Sequence, residues 1–234
     1  EKELVYSDHS CKFLDFPTPL EDLTQLGDGH SVFAGAGDLG NLFASGSAHA
    51  ESGVVWLINT TSESIEKMQV TGSAVPSKLI LHGLYFSQTS NTLYAVNHDT
   101  EIGESVEVFD VIREGSNLHL NHRVSIRSPL FQNYALNDVV EGVPDEQEFY
   151  VTEWLPFGLP PGGKEAESGH KKLASVAINI LKIRLTRVFR CSLKAPSPRT
   201  CTIASTTRFV GANGIAVSSD RQTFFVNDPA STAI

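Results

Sequence analysis

One short pattern recurs along this chain and constrains its fold more than any other feature. A polar residue followed by Gly or Asp opens an apolar strand at His82-Gly83-Leu84-Tyr85-Phe86, at Asn137-Asp138-Val139-Val140 and at Asn213-Gly214-Ile215-Ala216-Val217. At a nearly fixed offset a second hydrophobic strand follows and ends at or near a polar pair: Leu93 to His98, Phe149 to Glu153, Phe224 to Asp228. A weaker copy runs from Glu21-Asp22-Leu23 to Val32-Phe33-Ala34. A repeated unit of this size cannot bury its apolar face alone and must stack against its copies. In a radial arrangement, the opening residues Glu21, His82, Asn137 and Asn213 converge on one axis.

The rest of the chain agrees with an all-β fold. Strands are expected at Val54 to Asn59, Leu93 to Asn97, Val106 to Val111, Glu148 to Thr152, Thr186 to Arg190, Thr207 to Val210 and Thr223 to Val226, split by Gly, Ser, Asn, Asp and Pro. Such runs fit a sandwich, a barrel or a propeller, and the repeat favours a propeller with one blade per unit. One segment departs from the repeat. The polar, glycine-rich stretch Gly158 to Gly169 leads into Lys171 to Arg184, whose aliphatic residues at 173, 176, 177, 180 and 181 have helical spacing. Such a helix can lie over a substrate site, contact a membrane, or simply pack.

The 234 residues, with 41% hydrophobic and 19% charged content, supply a core and argue against disorder. The net charge of −9 argues against nucleic acid and anionic membrane as partners, and suits hard cations or neutral substrates. No apolar run is long enough for a transmembrane helix; Leu173 to Leu185 is broken by Ser175, Asn179 and Lys182. Of the cysteines, Cys191 and Cys201 flank a turn-rich stretch and suit a local disulfide, which leaves Cys11 odd. Asn59-Thr60-Thr61 is a glycosylation sequon, in keeping with a secreted or extracytoplasmic protein.

Several motifs weaken on inspection. Gly35-Ala36-Gly37-Asp38-Leu39-Gly40 spells a dinucleotide fingerprint, but that motif needs a helix after it and the following residues lack helical periodicity. No Gly-x-Ser-x-Gly elbow is present. His119 and His122 lack a third ligand at zinc spacing and read as an exposed hairpin turn. The repeat openings are different. Glu21, Asp22, Asn137, Asp138 and Asn213 offer carboxylate and amide oxygens of the kind calcium binds, although Asn and Asp also cap strands and turns. His82 and His98 sit at corresponding ends of neighbouring strands, where two imidazoles can share a proton and activate water.

These residues carry a resemblance. Glu21-Asp22-Leu23, Leu81-His82-Gly83-Leu84, Val96-Asn97-His98, Leu136-Asn137-Asp138-Val139-Val140 and Ala212-Asn213-Gly214-Ile215 resemble, in order, the motifs of the serum paraoxonase/arylesterase family, from about Cys11 onward. The resemblance implies a six-bladed β-propeller with two calcium ions in its tunnel. It assigns Glu21, Asn137 and Asn213 to a catalytic calcium, and Asp22, Asp138 and the Leu84 carbonyl to a structural one. It assigns His82 and His98 to a histidine dyad and pairs Cys11 with a cysteine near the far end of the family's chain. A later Asp-Asn pair of the family has no counterpart here, and Glu153-Trp154-Leu155 replace residues that are usually polar. The chain is therefore expected to form about four of the six blades, as one partial propeller domain over residues 1–234.

The function implied is a calcium-dependent hydrolase of lactones and aryl esters. Calcium would polarise the carbonyl while His82, assisted by His98, deprotonates water. Two alternatives stay open: a propeller enzyme resembling gluconolactonase or strictosidine synthase, and a non-catalytic propeller held together by calcium.

Overall fold

In β1 (Leu20–Gln25) the half-buried face carries Leu20, Asp22 and Thr24 and the other face is exposed, while β2 (Ser31–Ala36) is buried along most of its length. With β3 (Val55–Asn59) and β4 (Ser64–Lys67) they form an antiparallel meander in the order β1-β2-β3-β4. A computed structural model describes residues 14–231 of the chain, apart from 47, 100, 116, 132–134, 158–168 and 195–199. Cys11 and nearly all of the glycine-rich stretch before the helix lie outside the described residues.

The second sheet contains β6 (Leu81–Ser87), β7 (Thr92–Asn97), β8 (Ser105–Glu114) and β9 (Asn117–Ile126), each antiparallel to the next. An earlier segment, β5 (Gln69–Thr71), adds to its outer edge parallel to β9 and so ties the second sheet to the chain leaving the first. The third sheet is β10 (Ala135–Glu141), β11 (Glu148–Leu155), β12 (Val188–Ser192) and β13 (Cys201–Ile203). A two-stranded sheet, β14 (Ile215–Val217) and β15 (Phe224–Val226), follows.

The first strands of the four sheets lie side by side in chain order, β1 against β6, β6 against β10, β10 against β14. This is a propeller-like arc around one axis, all-β apart from two helices, and the described sheets do not close a ring. The core lies between blades. Phe33, Leu84, Phe86 and Leu93 join the first and second sheets. Tyr94, Val106, Phe149 and Phe189 join the second and third. Each fully buried aromatic here contributes on the order of 2–3 kcal/mol of burial free energy. The expected disulfide is present: Cys191 and Cys201 face each other across β12 and β13 with Cα atoms 4.1 Å apart.

Several local expectations change. Residues 207–210 are no strand; Phe209 only bridges to Thr186, and β12 begins two residues later, at Val188. A helix does follow the glycine-rich hexapeptide: α1 (Leu39–Ser45), capped by the Asp38 side chain, which accepts from the Asn41 N–H. Its cap overrides weak periodicity. The dinucleotide reading still fails, because β2 and β3 on either side of α1 are antiparallel, not the parallel pair of a βαβ unit. His119 and His122 are not in an exposed turn. They lie within β9, and His122 is buried against Glu107 (2.8 Å), which also accepts from Ser105 and Ser125.

The second helix, α2 (Gly169–Leu181), starts and stops earlier than expected. It ends where Lys182 turns left-handed and the Ile183 N–H returns to the Ile178 carbonyl. The expected aliphatic stripe is turned outward: Leu173, Val176, Ile180 and Leu181 are exposed, and among the described side chains of the helix Ile178 is buried. Ile178 meets Trp154, Leu155 and Val210 around a cavity of about 40 Å3. No described helix is long and apolar enough to cross a membrane.

Candidate functional site

The repeat becomes a site through bulges. In three of the four first strands the ladder slips where the polar opening falls: between Leu20 and Asp22 around Glu21, between Leu81 and Leu84 at His82-Gly83, and between Leu136 and Val139 at Asn137-Asp138; β14 pairs with β15 without a slip. A bulge interrupts pairing and re-aims side chains, here toward the axis where β1, β6 and β10 meet. Gly83 makes the approach possible. A Cβ at that position would lie 2.4 Å from the Asp138 Cα and 2.6 Å from the Asn137 carbonyl oxygen.

Three of the repeat openings meet at one atom. The His82 Nε2 lies 3.0 Å from Glu21 Oε1 and 3.0 Å from Asn137 Nδ2. On its other side His82 Nδ1 is 2.8 Å from His98 Nε2, and His98 Nδ1 is 2.7 Å from Glu104 Oε2. Both histidines are buried, and Phe43 and Trp154 wall them: Trp154 stands edge-on to His82 at 6.0 Å, Phe43 against His98 at 6.3 Å. Burial holds His82 below the usual histidine range, although Glu21 pulls it upward. The contact with His82 holds Glu21 below its ordinary value, against the effect of partial burial. The arrangement leaves an uncharged imidazole facing the axis, which suits proton abstraction from water.

The second group is a pair of strand-initial acids. Asp22 accepts from Leu23 N (2.8 Å) and, across to the next blade, from Leu84 N (2.7 Å). Asp138 accepts from Val139 N (2.7 Å) and, across to the blade after it, from Ile215 N (2.8 Å). Each acid thus latches one blade to its neighbour. Both line one cavity of about 280 Å3, together with Leu84 and Ile215. Burial, and then the like charge of Asp22, push Asp138 up to about 7; burial also raises Asp22. Two partly buried carboxylates, both held above their ordinary range and one of them raised by the charge of the other, are a donor set that a divalent cation would relieve, and hard oxygen donors suit calcium. Among the described residues no group of three or more His, Cys, Asp or Glu side chains comes together as a metal site. A cation here would therefore need amide and backbone oxygens as well.

Asn213 does not join Glu21 and Asn137. Its Oδ1 accepts from the Gly214 N–H (3.0 Å), and its carbonyl accepts from the Thr152 hydroxyl (2.6 Å), which also accepts from Asp138 N. It stands beside the acid pair instead. Leu84 enters that pair through its N–H. Asn59, away from the axis, accepts from Thr61 N and Ser62 N in the hairpin after β3.

Sequence reasoning missed Glu104 and Phe43, which lie outside the repeat, and Thr152, which lies in the second strand of a repeat but is not one of its polar openings. Trp154 stood out only as a departure from a family pattern. Glu153 beside it is a further surprise. It is fully buried, neither carboxylate oxygen has a hydrogen-bond partner among the described residues, and burial pushes it up to about 8 although Arg187 and Arg208 pull the other way. The folded protein then keeps a proton that the unfolded chain releases near pH 4.5. The part of the stability tied to Glu153 is full below that pH and falls as pH rises toward 8. Glu153→Gln is expected to flatten this slope and to gain about 2 kcal/mol at pH 8, read from urea midpoints at pH 5 and 8. A slope equal to that of the unmodified protein would show that Glu153 is ionised in the fold.

No protein-family model and no curated protein matches this chain. Among solved structures it is similar to the periplasmic gluconolactonase PpgL of Pseudomonas aeruginosa, at 13% identity and a TM-score of 0.48, over 88% of this chain and 50% of that one. It is also similar to a Bacteroides uniformis protein assigned as a 6-phosphogluconolactonase, at 10% identity and a TM-score of 0.37, over 87% of this chain and 62% of that one. The chain spans about half the length of the first and under two thirds of the second.

Proposed function

We propose that this site belongs to a calcium-dependent hydrolase of lactones and aryl esters. The observation that carries the reading is the meeting of Glu21, His82 and Asn137 at the His82 Nε2, with His98 directly behind. The buried His82 accepts a proton from a water at the axis, and His98 stabilises the charge that results. Asn137 directs its amide at the reacting region, while Phe43 and Trp154 keep bulk water from the imidazoles. Glu21 and Asn137 would hold one calcium ion, and Asp22, Asp138 and the Leu84 carbonyl, beside which Asn213 stands, another. When bound, the axial calcium supplies a Lewis acid for the ester carbonyl. The substrate is a small neutral lactone or ester, in keeping with the acidic chain. The Cys191–Cys201 disulfide supports an oxidising, extracytoplasmic compartment.

The test is hydrolysis of simple lactones and phenyl acetate by the purified chain, before and after EGTA, with calcium added back. Turnover should disappear on chelation and return with calcium, and calcium should raise the melting temperature. Turnover that survives complete calcium removal overturns the mechanism. The inter-blade latches of Asp22 and Asp138 favour one second reading, a propeller in which calcium only joins blades. For that reading calcium raises the melting temperature and no ester or lactone is consumed.

A further inference from the structure

We infer that Glu104 is the third member of the dyad, a positioning residue that fixes the direction of its hydrogen bonds and so leaves the lone pair of His82 on the nitrogen that faces the axis. This rests on the hydrolase reading for its consequence in turnover, but not for its geometry.

The argument is a count of protons. Four groups stand in a row: Glu21, His82, His98 and Glu104. Three contacts join them, at 3.0, 2.8 and 2.7 Å. Each contact needs one proton, and two neutral imidazoles carry only two between them. One contact must go without, and the two ends compete for which it is. The ends differ. The Glu104 side chain is only 8% exposed and its Oε2 also accepts from the Leu136 N–H (3.1 Å), so the carboxylate is held in place from two sides. The Glu21 side chain is 39% exposed. A carboxylate can only accept. Glu104 therefore takes the proton on His98 Nδ1, His98 Nε2 must accept, and His82 must donate from Nδ1. His82 Nε2 is left as an acceptor, which Asn137 Nδ2 is placed to serve until a water replaces it.

Reversing the row would put lone pairs of His98 and Glu104 against each other at 2.7 Å and would occupy the axial nitrogen with hydrogen. A carboxylate behind the dyad also favours the imidazolium formed when the water loses its proton, as the buried acid does behind the histidine of a serine hydrolase. Glu104 lies on the turn between β7 and β8 and lines a separate cavity of about 170 Å3 with Ile102, Arg127 and Phe131, away from the acid pair.

The experiment compares Glu104→Gln, which keeps an acceptor and loses the charge, with Glu104→Met, which loses both. Nitrogen-15 spectra of the histidines in the unmodified protein are expected to show His98 protonated on Nδ1 and His82 unprotonated on Nε2. The Met variant should lose the first signature. Lactone kcat should fall about tenfold in the Gln variant and about a hundredfold in the Met variant with KM unchanged, and Glu104→Asp should recover part of it. A folded Met variant with unaltered tautomers, or with unaltered kcat, overturns the inference. If the unmodified protein hydrolyses no lactone, the hydrolase reading fails, and the tautomer spectra alone decide the role of Glu104.

Discussion

Gly83→Ala is expected to destabilise the protein by about 3 kcal/mol and to scatter the site with it. The added methyl has no empty space: it meets the Asp138 Cα and Oδ1 at 2.4 Å and the Asn137 carbonyl at 2.6 Å, and two of these three are backbone atoms that cannot rotate away. Relief requires β6 and β10 to separate, and that parts His82 from Asn137, now 3.0 Å apart. It also loosens the hydrophobic contacts between the same blades. Urea unfolding followed by circular dichroism gives the stability, and fluorescence of Trp154, which stands against His82, reports on the site. A midpoint equal to that of the unmodified protein would mean that the two first strands are not packed as described.

His82→Gln should lower lactone turnover by about 10²–10⁴-fold while the melting temperature moves by only a few degrees. Glutamine fills similar volume and can still accept from Asn137, but it has no nitrogen lone pair basic enough to take a proton from water. Binding contacts along the axis are unchanged, so KM should stay near its original value and the loss should fall in kcat. A variant with full turnover would remove His82 as the base and shift attention to Glu21, which stands on the same side of the axis. A variant that fails to fold is separated from a true catalytic loss by the same circular dichroism measurement.

The two variants touch adjacent residues and act through different physics. Gly83 matters because nothing larger fits between two backbones. His82 matters because of the proton it carries. That contrast bears on what could be read in advance. The His-Gly, Asn-Asp and Asn-Gly openings were visible as a repeat, and repetition alone implied first strands facing a shared axis. The bulges that displace those residues from the ladder were not visible, because a bulge depends on how the partner strand pairs. The same holds for Asn213, which belongs to the repeat yet sits beside Asp138 rather than with Glu21, its amide oxygen taken by the Gly214 N–H.

Other misses have the same origin. His119 and His122 read as turn residues because no third ligand at zinc spacing accompanies them; pairing of β8 with β9 instead places His122 opposite Phe109 and against Glu107. The aliphatic stripe of α2 was legible as helical spacing, but not which side would be buried, and the structure buries Ile178 while leaving Leu173 and Ile180 outside. Glu104 lies six positions from His98 across a turn that no periodicity describes.

The amino-acid order by itself determined the strand-rich repeat, the cysteine pair that closes β12 on β13, and the residue types gathered near the axis, because each of these depends on local spacing or on chemistry that a side chain carries anywhere. Tertiary structure decided which of those side chains touch, which proton each imidazole holds and which acids share a cavity, because those depend on distances between blades that are set only when separate strands pack together.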